Sequence, residues 1–465
     1  MTRRDYPGAV ISDSDWAASM ARMTSGRRSG PSGASARRRN AQAHEVTGRS
    51  VPVVPVVSGL VLAALILILG MAVQPRAAPS AARVSPSAPT VTMPAVAIAS
   101  AAGPTPSSLT APTPSPARSS APGPDPVPAA TNLYRATGLG QFSPTVAAFP
   151  ARVYVPDEAH GTVVVIDPAT YRIIGRYGVG ASPEHVTPGW DLKRLYVEAP
   201  FGNRLTVIDP ATGRPAGSHR IRGPYNLYFT PDGRLAIVVL DSSVSGVEYG
   251  GHKQVYFYDR LTWRLIKALD VPWAGADHLE FSAAGSYFLM TTEYTGRVVR
   301  IDVRSLAISG VLDLGGHPID VRLSPDGAVF YVANQVRNGV SIIDAGHLRE
   351  LAFLPTGAGA HGLALSRDAR QLYVSNRVAG SLSVIDFATR RVIHTWRIGG
   401  SPDMIAVSAD GTKLWISNRF GGTVSVVDAE TGRIIRIIRV GGRPHGLAFF
   451  PEPGRFSLGH NGIYR

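Results

Sequence analysis

The chain has no cysteine among its 465 residues. That absence excludes disulfides, thiolate metal sites, covalently attached haem, cysteine nucleophiles and lipid-modified cysteine in one step. It leaves the redox compartment open, because an exported protein can do without bridges. Lysine is nearly missing too, with four Lys among the 47 basic residues. Charged residues make up only 17 % of the chain, although the formal net charge is +14. Several catalytic signatures are lacking as well. The sequence holds no serine nucleophile elbow, no glycine loop ending in Lys to cradle a phosphate, and no His-Glu-x-x-His helix.

What the chain does have is glycine (49) and proline (37), unevenly placed. Residues 1–50 carry nine Arg against four acids and show no sustained apolar periodicity, which predicts a disordered basic arm. Residues 51–73 form an uncharged apolar run. At ~1.5 Å per residue they reach about 34 Å, enough for the ~30 Å hydrocarbon core of a bilayer. No polar face interrupts the run, so it reads as one transmembrane signal-anchor helix. Nine Arg precede it, and only Arg76 and Arg83 follow closely, which places the N-terminus in the cytoplasm. The small residues Ala77-Ala78-Pro79-Ser80-Ala81 keep a cleaved signal peptide open as the alternative. Residues 74–130 hold 14 Pro in 57 positions, mostly among Ala, Ser and Thr. Such a chain has too little to bury to offset its ordering entropy, so it is expected to be a disordered extracellular linker of up to about 175 Å in polyproline II form. The expected location is therefore the cell membrane, single-pass, with residues 131–465 as an extracytoplasmic head.

The head repeats. A short apolar strand ending in aspartate recurs at Val165-Ile-Asp167, Val207-Ile-Asp209, Phe257-Tyr-Asp259, Arg300-Ile-Asp302, Ile342-Ile-Asp344, Val384-Ile-Asp386 and Val426-Val-Asp428, at spacings of 42, 50, 43, 42, 42 and 42. Within a unit, four apolar and β-branched runs are separated by turn residues such as Asp410-Gly411 and Asn418. Four short antiparallel strands per unit describe a propeller blade, and seven such blades close into a ring that removes exposed sheet edges. The predicted fold is thus an all-β, seven-bladed β-propeller with four-stranded antiparallel blades. Two candidates stand for the strand that closes blade 1: residues 144–149 or residues 447–450. The repeated Asp reads as a turn cap rather than as seven active sites.

Tyr331-Val-Ala-Asn334, Tyr373-Val-Ser-Asn376 and Trp415-Ile-Ser-Asn418, each followed by a Val/Ile-Asp strand, resemble the YVTN-repeat (YncE-like) β-propellers of bacteria. Weaker copies are Tyr154-Val-Pro-Asp157 and Tyr196-Val-Glu-Ala199. The resemblance covers about 150–450. It implies the propeller fold and no particular chemistry, because the family shares no catalytic set.

In a propeller the first strand of each blade lines the central channel. Aligning the residues that lead into these strands gives Glu184, Tyr225, Asp277, Ile319, His361, Asp403 and His445 at one position, and His185, Asn226, His278, Asp320, Gly362, Met404 and Gly446 at the next. Four of the 12 histidines fall here, beside four carboxylates. Imidazole with carboxylate suits Zn, Mn, Fe or Ni, and carboxylates with carbonyls suit Ca. His361, Asp403, His445 and Glu184 are the candidate ligands of a divalent metal. A hydrated rim that binds nothing is the simpler reading of the same residues. Arg377 and Arg419 occupy equivalent turns on that face and are candidate anion contacts, or ordinary surface charge. Residues 241–252 lengthen blade 3 and are a candidate flap over the channel mouth.

The charge divides as +5 on residues 1–50, +2 on 51–130 and +7 on the head. No basic stripe or stacking motif favours nucleic acid. The expected role is a non-catalytic binding or scaffold module, a monomeric head presenting its loop face to a cell-wall polymer, a protein or a small ligand. The alternative is a metal-assisted lactonase-like hydrolase, or an oxidoreductase head, with its site at the channel mouth.

Overall fold

The computed structural model describes residues 132–241 and 253–465. The basic arm, the apolar run, the linker and nearly all of the candidate flap lie outside them. No helix among the described residues is long and apolar enough to cross a membrane.

Seven antiparallel sheets follow one another around a central axis. Blades 2 to 7 each run from the axis outward in chain order, as in blade 6 with Ala360–Leu365, Gln371–Asn376, Ser381–Asp386 and Arg391–Arg397. The second and third strands read as nearly continuous apolar runs because neighbouring blades cover both their faces. Tyr331 and Ile342 of blade 5, for example, pack in one cluster with Leu363, Val374 and Ile385 of blade 6. Each such fully buried aliphatic side chain contributes about 1.5–3 kcal/mol. The outermost strands lie at the rim and are mostly half-buried or exposed, as in Arg172–Gly178.

The seven aspartates that end the third strands cap the turns that follow them. Asp386 Oδ1 accepts from both the backbone N–H and the hydroxyl of Thr389 at 2.7 Å, and Asp428 binds Thr431 in the same way. Asp167, Asp209, Asp259, Asp302 and Asp344 hold their own turns alike. These bonds, together with exposure, account for the repeat without assigning it any chemistry.

Ring closure joins the two ends of the head. Ala448–Phe450 forms the inner strand of blade 1, paired to Arg152–Asp157 with Arg152 opposite Phe450 and Tyr154 opposite Ala448. Of the two candidate segments, the C-terminal one therefore closes the ring. The rival segment forms a single 3-10 turn at Pro144–Val146, and its Val146 and Phe149 pack against the core of blades 1 and 2.

The chain does not stop at the closing strand. It turns back and inserts a small hairpin, Ser457–Gly459 with Ile463–Tyr464, alongside the inner strand Pro224–Phe229 of blade 3. Its base is held at the far end of the channel, where Arg465 donates to Glu280 Oε1 at 3.1 Å and lies over the Tyr134 ring. Its tip, the turn His460–Gly462, points toward the end where the inner strands begin.

This closure makes blade 1 depend on the last residues of the chain. Deleting residues 447–465 leaves blade 1 with three strands and an unpaired inner edge beside an emptied channel. The expected result, read by thermal unfolding, is a fall in Tm on the order of 10 °C or more with loss of a single sharp transition. An unchanged Tm would show that closure contributes nothing.

Candidate functional site

The inner strands all start at the same end of the channel, and alternation of direction brings the turns between second and third strands to that end too. Residues at the first two positions of the inner strands therefore meet there, as do the residues just after each second strand. Eleven of the twelve sequence-singled residues are buried and Tyr225 is half-buried. The hydrated rim is not what they form: His185, Asn226, His278, Asp320 and Asp403 have 0 % exposure, and His361 and His445 have 3 % and 1 %.

Two of the twelve are spent on the wall. Asn226 Nδ2 donates to the Asp277 carbonyl of the next blade at 3.2 Å, and Asp320 Oδ2 accepts from the Leu363 N–H of the next blade at 2.8 Å. Asp320 also holds Arg322, at 2.6 Å. Tyr225 stacks edge-on to His185 with ring centroids 5.1 Å apart.

The rest form two adjoining groups. In the first, Arg377 Nε donates to Asp403 Oδ1 at 2.9 Å, while His361 Nδ1 lies 3.1 Å from the same oxygen without making a hydrogen bond. Asp403 Oδ2 has no hydrogen-bond partner and faces His445 Nε2 at 3.6 Å. His445 Nδ1 is hydrogen-bonded to Glu184 Oε2. Arg419 reaches Glu158 at 2.8 Å and Glu184 at 3.8 Å. The network thus sets Asp403, Glu184 and Glu158 against Arg377 and Arg419, with neutral imidazoles between. Burial, then the Arg377 charge, pushes His361 well below the usual imidazole range. Burial, then Arg419, holds His445 down to about 3. Burial raises the Glu158 carboxyl despite Arg419.

The residues following the second strands form a tier around this network. Arg377 donates to Gln335 Oε1 at 3.3 Å, and Gln335 donates to Glu293 Oε1 at 3.4 Å. Glu158, Glu293, Gln335, Arg377 and Arg419 occupy the same place in blades 1, 4, 5, 6 and 7. Sequence reasoning took only the two Arg from that place, although the alignment that found them also marks Glu158, Glu293 and Gln335.

In the second group, His278 Nε2 lies 2.9 Å from His460 Nε2, and the His185 ring centroid is 3.8 Å from that of His460 and 4.6 Å from that of His445. Burial, then the neighbouring imidazoles, lowers His185 and His460 well below their usual range. Burial also opposes charge on His278, but Asp277 and Asp320 outweigh it and His278 is raised. Sequence reasoning missed His460 because the tail was outside the blade alignment. Its signal is the pattern Phe456, Leu458, then Gly459-His-Asn-Gly462, then Ile463, an apolar hairpin around a glycine-bracketed turn.

Two sets of ligand-type atoms have all their members within 4.8 Å of one another: His361, Asp403 and His445, and His185, His278 and His460. Ligands at ~2.1 Å around one tetrahedral ion stand about 3.4 Å apart. Each set is therefore within about 1.4 Å of coordinating distance. Glu184, named with the first set from the sequence, acts behind it on His445.

A closed ring of seven blades with a buried histidine and carboxylate cluster on its axis defines a β-propeller whose polar site is internal. The chain belongs to the YNCE-like beta-propeller family, whose model matches residues 124–452. Among solved structures it is similar to a periplasmic gluconolactonase of Pseudomonas aeruginosa, with 20% identity, a TM-score of 0.54, and 65% of this chain and 99% of that one covered. A putative 6-phosphogluconolactonase of Bacteroides fragilis matches at 16% identity and TM-score 0.53, covering 66% and 99%. A functionally unknown protein of Desulfotomaculum acetoxidans matches at 18% and 0.52, covering 64% and 98%. These likenesses establish the shared fold. No curated protein matches the chain. His460 lies beyond the family match.

Next to the site, Glu198 stands where other blades carry a hydroxyl that accepts an inner-strand N–H, as Ser375 does from Gly362 at 2.8 Å. Both Glu198 oxygens are buried without a hydrogen bond, and burial pushes the carboxyl up to about 8. The unfolded chain loses this proton near 4.5. The carboxyl's contribution to stability is thus fully present below that value and is lost as pH rises toward the folded value, by ~1.4 kcal/mol per pH unit. Glu198→Gln removes that slope. The Tm advantage of the variant should grow between about pH 5 and about pH 8; parallel Tm curves would contradict a neutral buried carboxyl.

Proposed function

We propose that this protein is a non-catalytic binding module that holds a divalent metal ion at the mouth of its channel, on His361, Asp403 and His445. The observation that carries this reading is the meeting of ligand-type atoms: buried His361, Asp403 and His445 each bring one within 4.8 Å of the others, and Asp403 Oδ2, which has no hydrogen bond, faces His445 Nε2 at 3.6 Å. Arg377 Nη2 donates to His361 Nε2 at 2.5 Å and Arg419 Nη1 to His445 Nε2 at 3.4 Å, so an ion entering here takes the place of the Arg419 bond and binds the His361 tautomer whose Nδ1 is unprotonated. Two neutral imidazoles with one carboxylate favour Zn, Mn, Fe or Ni over Ca, which needs six or more oxygens. Glu184 orients His445 from behind, as a carboxylate does for a ligating imidazole. Arg377 and Arg419 are offset by Asp403, Glu184 and Glu158, so the pocket carries no uncompensated positive charge against a cation.

The hydrolase reading has less support. Rings whose centroids lie 3.8 to 6.3 Å apart leave atom-sized spaces on the axis, not room for a sugar lactone. The same crowding leaves the loop face, rather than the channel, for contact with a wall polymer or protein. The reading of residues 51–73 as a membrane anchor and 74–130 as an extracellular tether rests on composition, as does the exclusion of nucleic acid.

Chelator-stripped full-length protein titrated with Zn2+ should take up an equivalent at this site that His361→Ala removes, while Glu184→Gln behind His445 weakens it by about tenfold to a hundredfold. Uptake unaffected by His361→Ala would overturn the assignment. Protease added to intact expressing cells should release the propeller by cutting the tether. A head that stays attached would rule out an exposed tether on an outward-facing anchor.

A further inference from the structure

The second histidine group lies deeper on the axis than the mouth triad and has a different make-up. It contains three imidazoles and no carboxylate among its ligand-type atoms. It also spans three separate stretches of chain: His185 from the inner strand of blade 2, His278 from that of blade 4, and His460 from the tip of the C-terminal hairpin.

The tip is placed by backbone that only glycine permits. Gly459 has φ of +132°, and a Cβ there would meet the Leu227 carbonyl oxygen at 2.5 Å and Tyr228 Cα at 2.6 Å. The missing side chain is what lets the hairpin press against blade 3 and carry His460 up the channel. Leu458, Ile463 and Tyr464 are buried around it, and the Arg465–Glu280 pair anchors its base. In the adjoining blade Gly446 leaves room for His185, whose Nδ1 would stand too close to a Cβ at that position.

Hydrogen-bond accounting then isolates the group. His185 Nδ1, His185 Nε2 and His460 Nδ1 are buried with no hydrogen-bond partner. A neutral imidazole has one N–H and one lone pair, and leaving both idle in a dry interior is costly. A shared proton between His278 Nε2 and His460 Nε2 explains their 2.9 Å approach but leaves His185 with nothing. His278 Nδ1 likewise makes no hydrogen bond, although Asp277 Oδ1 lies 2.5 Å from it, on the side of the ring away from His460. The adjacent Arg322 is already held by Asp320.

We propose that His185, His278 and His460 form a second metal site, an all-imidazole cage for a d-block ion of the Zn2+ or Cu2+ class, completed by the C-terminal hairpin. Three nitrogen donors select such ions over Ca2+ or Mg2+. The site makes the ring's last ten residues part of a coordination sphere, so metal binding and seating of the hairpin are one event. It stands independently of the mouth triad, with which it shares no ligand.

The experiment is metal stoichiometry on the full chain, stripped with chelator and titrated with Zn2+ and Cu2+, with Co2+ substitution to read coordination from its visible absorption. Three variants are compared with the wild type: His460→Gln, which can still hydrogen-bond but ligates poorly; His185→Phe, which keeps the ring volume and deletes both nitrogens; and His361→Ala at the mouth. The expected result is two equivalents in the wild type, one in His460→Gln and in His185→Phe, and one in His361→Ala, with the Co2+ band changed differently by the two kinds of variant. Because His185→Phe preserves packing, its loss of an equivalent with an unchanged melting transition of the metal-free protein assigns the site even where His460→Gln disturbs the hairpin. If the wild type takes up one equivalent that only His361→Ala removes, the tail site is refuted and the mouth site stands. If the single equivalent is removed only by His460→Gln and His185→Phe, the reverse holds. No uptake at all refutes both.

Discussion

The requirement that a sheet buried on both faces find a neighbour on each side governs this molecule. A four-stranded blade alone would expose two apolar faces. Stacking covers them, but a linear stack always ends on an uncovered blade, and only a closed ring has no end. Here closure is made by hydrogen bonds between Ala448–Phe450 and Arg152–Asp157, so the first and last described parts of the head are tied in one sheet. Everything on the axis follows from that pairing. It fixes where the chain leaves blade 1, and the residues beyond it have nowhere to bury Leu458, Ile463 and Tyr464 except the channel itself.

A channel filled this way is a low-dielectric place for polar groups, which raises the stakes of each one. The charges near the mouth are arranged as alternating partners, Glu158 with Arg419 and Asp403 with Arg377, so that no ion is buried alone. The imidazoles between them are kept neutral by burial and by the nearby guanidinium groups, with Arg377 donating to His361 Nε2 and Arg419 to His445 Nε2. That combination, neutral donors flanked by balanced charges, is what distinguishes this axis from a wet pore. Membership of the YNCE-like family accounts for the ring but not for this inventory, since function belongs to the site and not to the fold.

Much of the architecture was legible in advance because its signals are local. The Val/Ile-Asp strand ends, the Tyr-Val-x-Asn strands and the Asp turn caps are each short-range patterns, and their regular spacing imposes a seven-fold ring. The same alignment placed His361, Asp403 and His445 at one level of the axis, and they do meet. It could not show that Asn226 Nδ2 and Asp320 Oδ2 are spent on the next blade's backbone. Side chains at equivalent places in the repeat look identical in a sequence whether they point into the channel or staple its wall.

The blade count, the strand order within blades 2 to 7 and the end of the channel at which polar residues gather are legible in the sequence, because each follows from periodicity and turn chemistry within about forty residues. Which terminus closes the ring, the burial of the polar residues at the mouth, and the meeting of His460 with His185 and His278 come from the tertiary structure alone. Those outcomes depend on contacts between residues far apart in the chain, 182 positions in the case of His278 and His460. No local pattern encodes such a meeting; it exists only once the ring has closed and the tail has folded into the space that closure leaves.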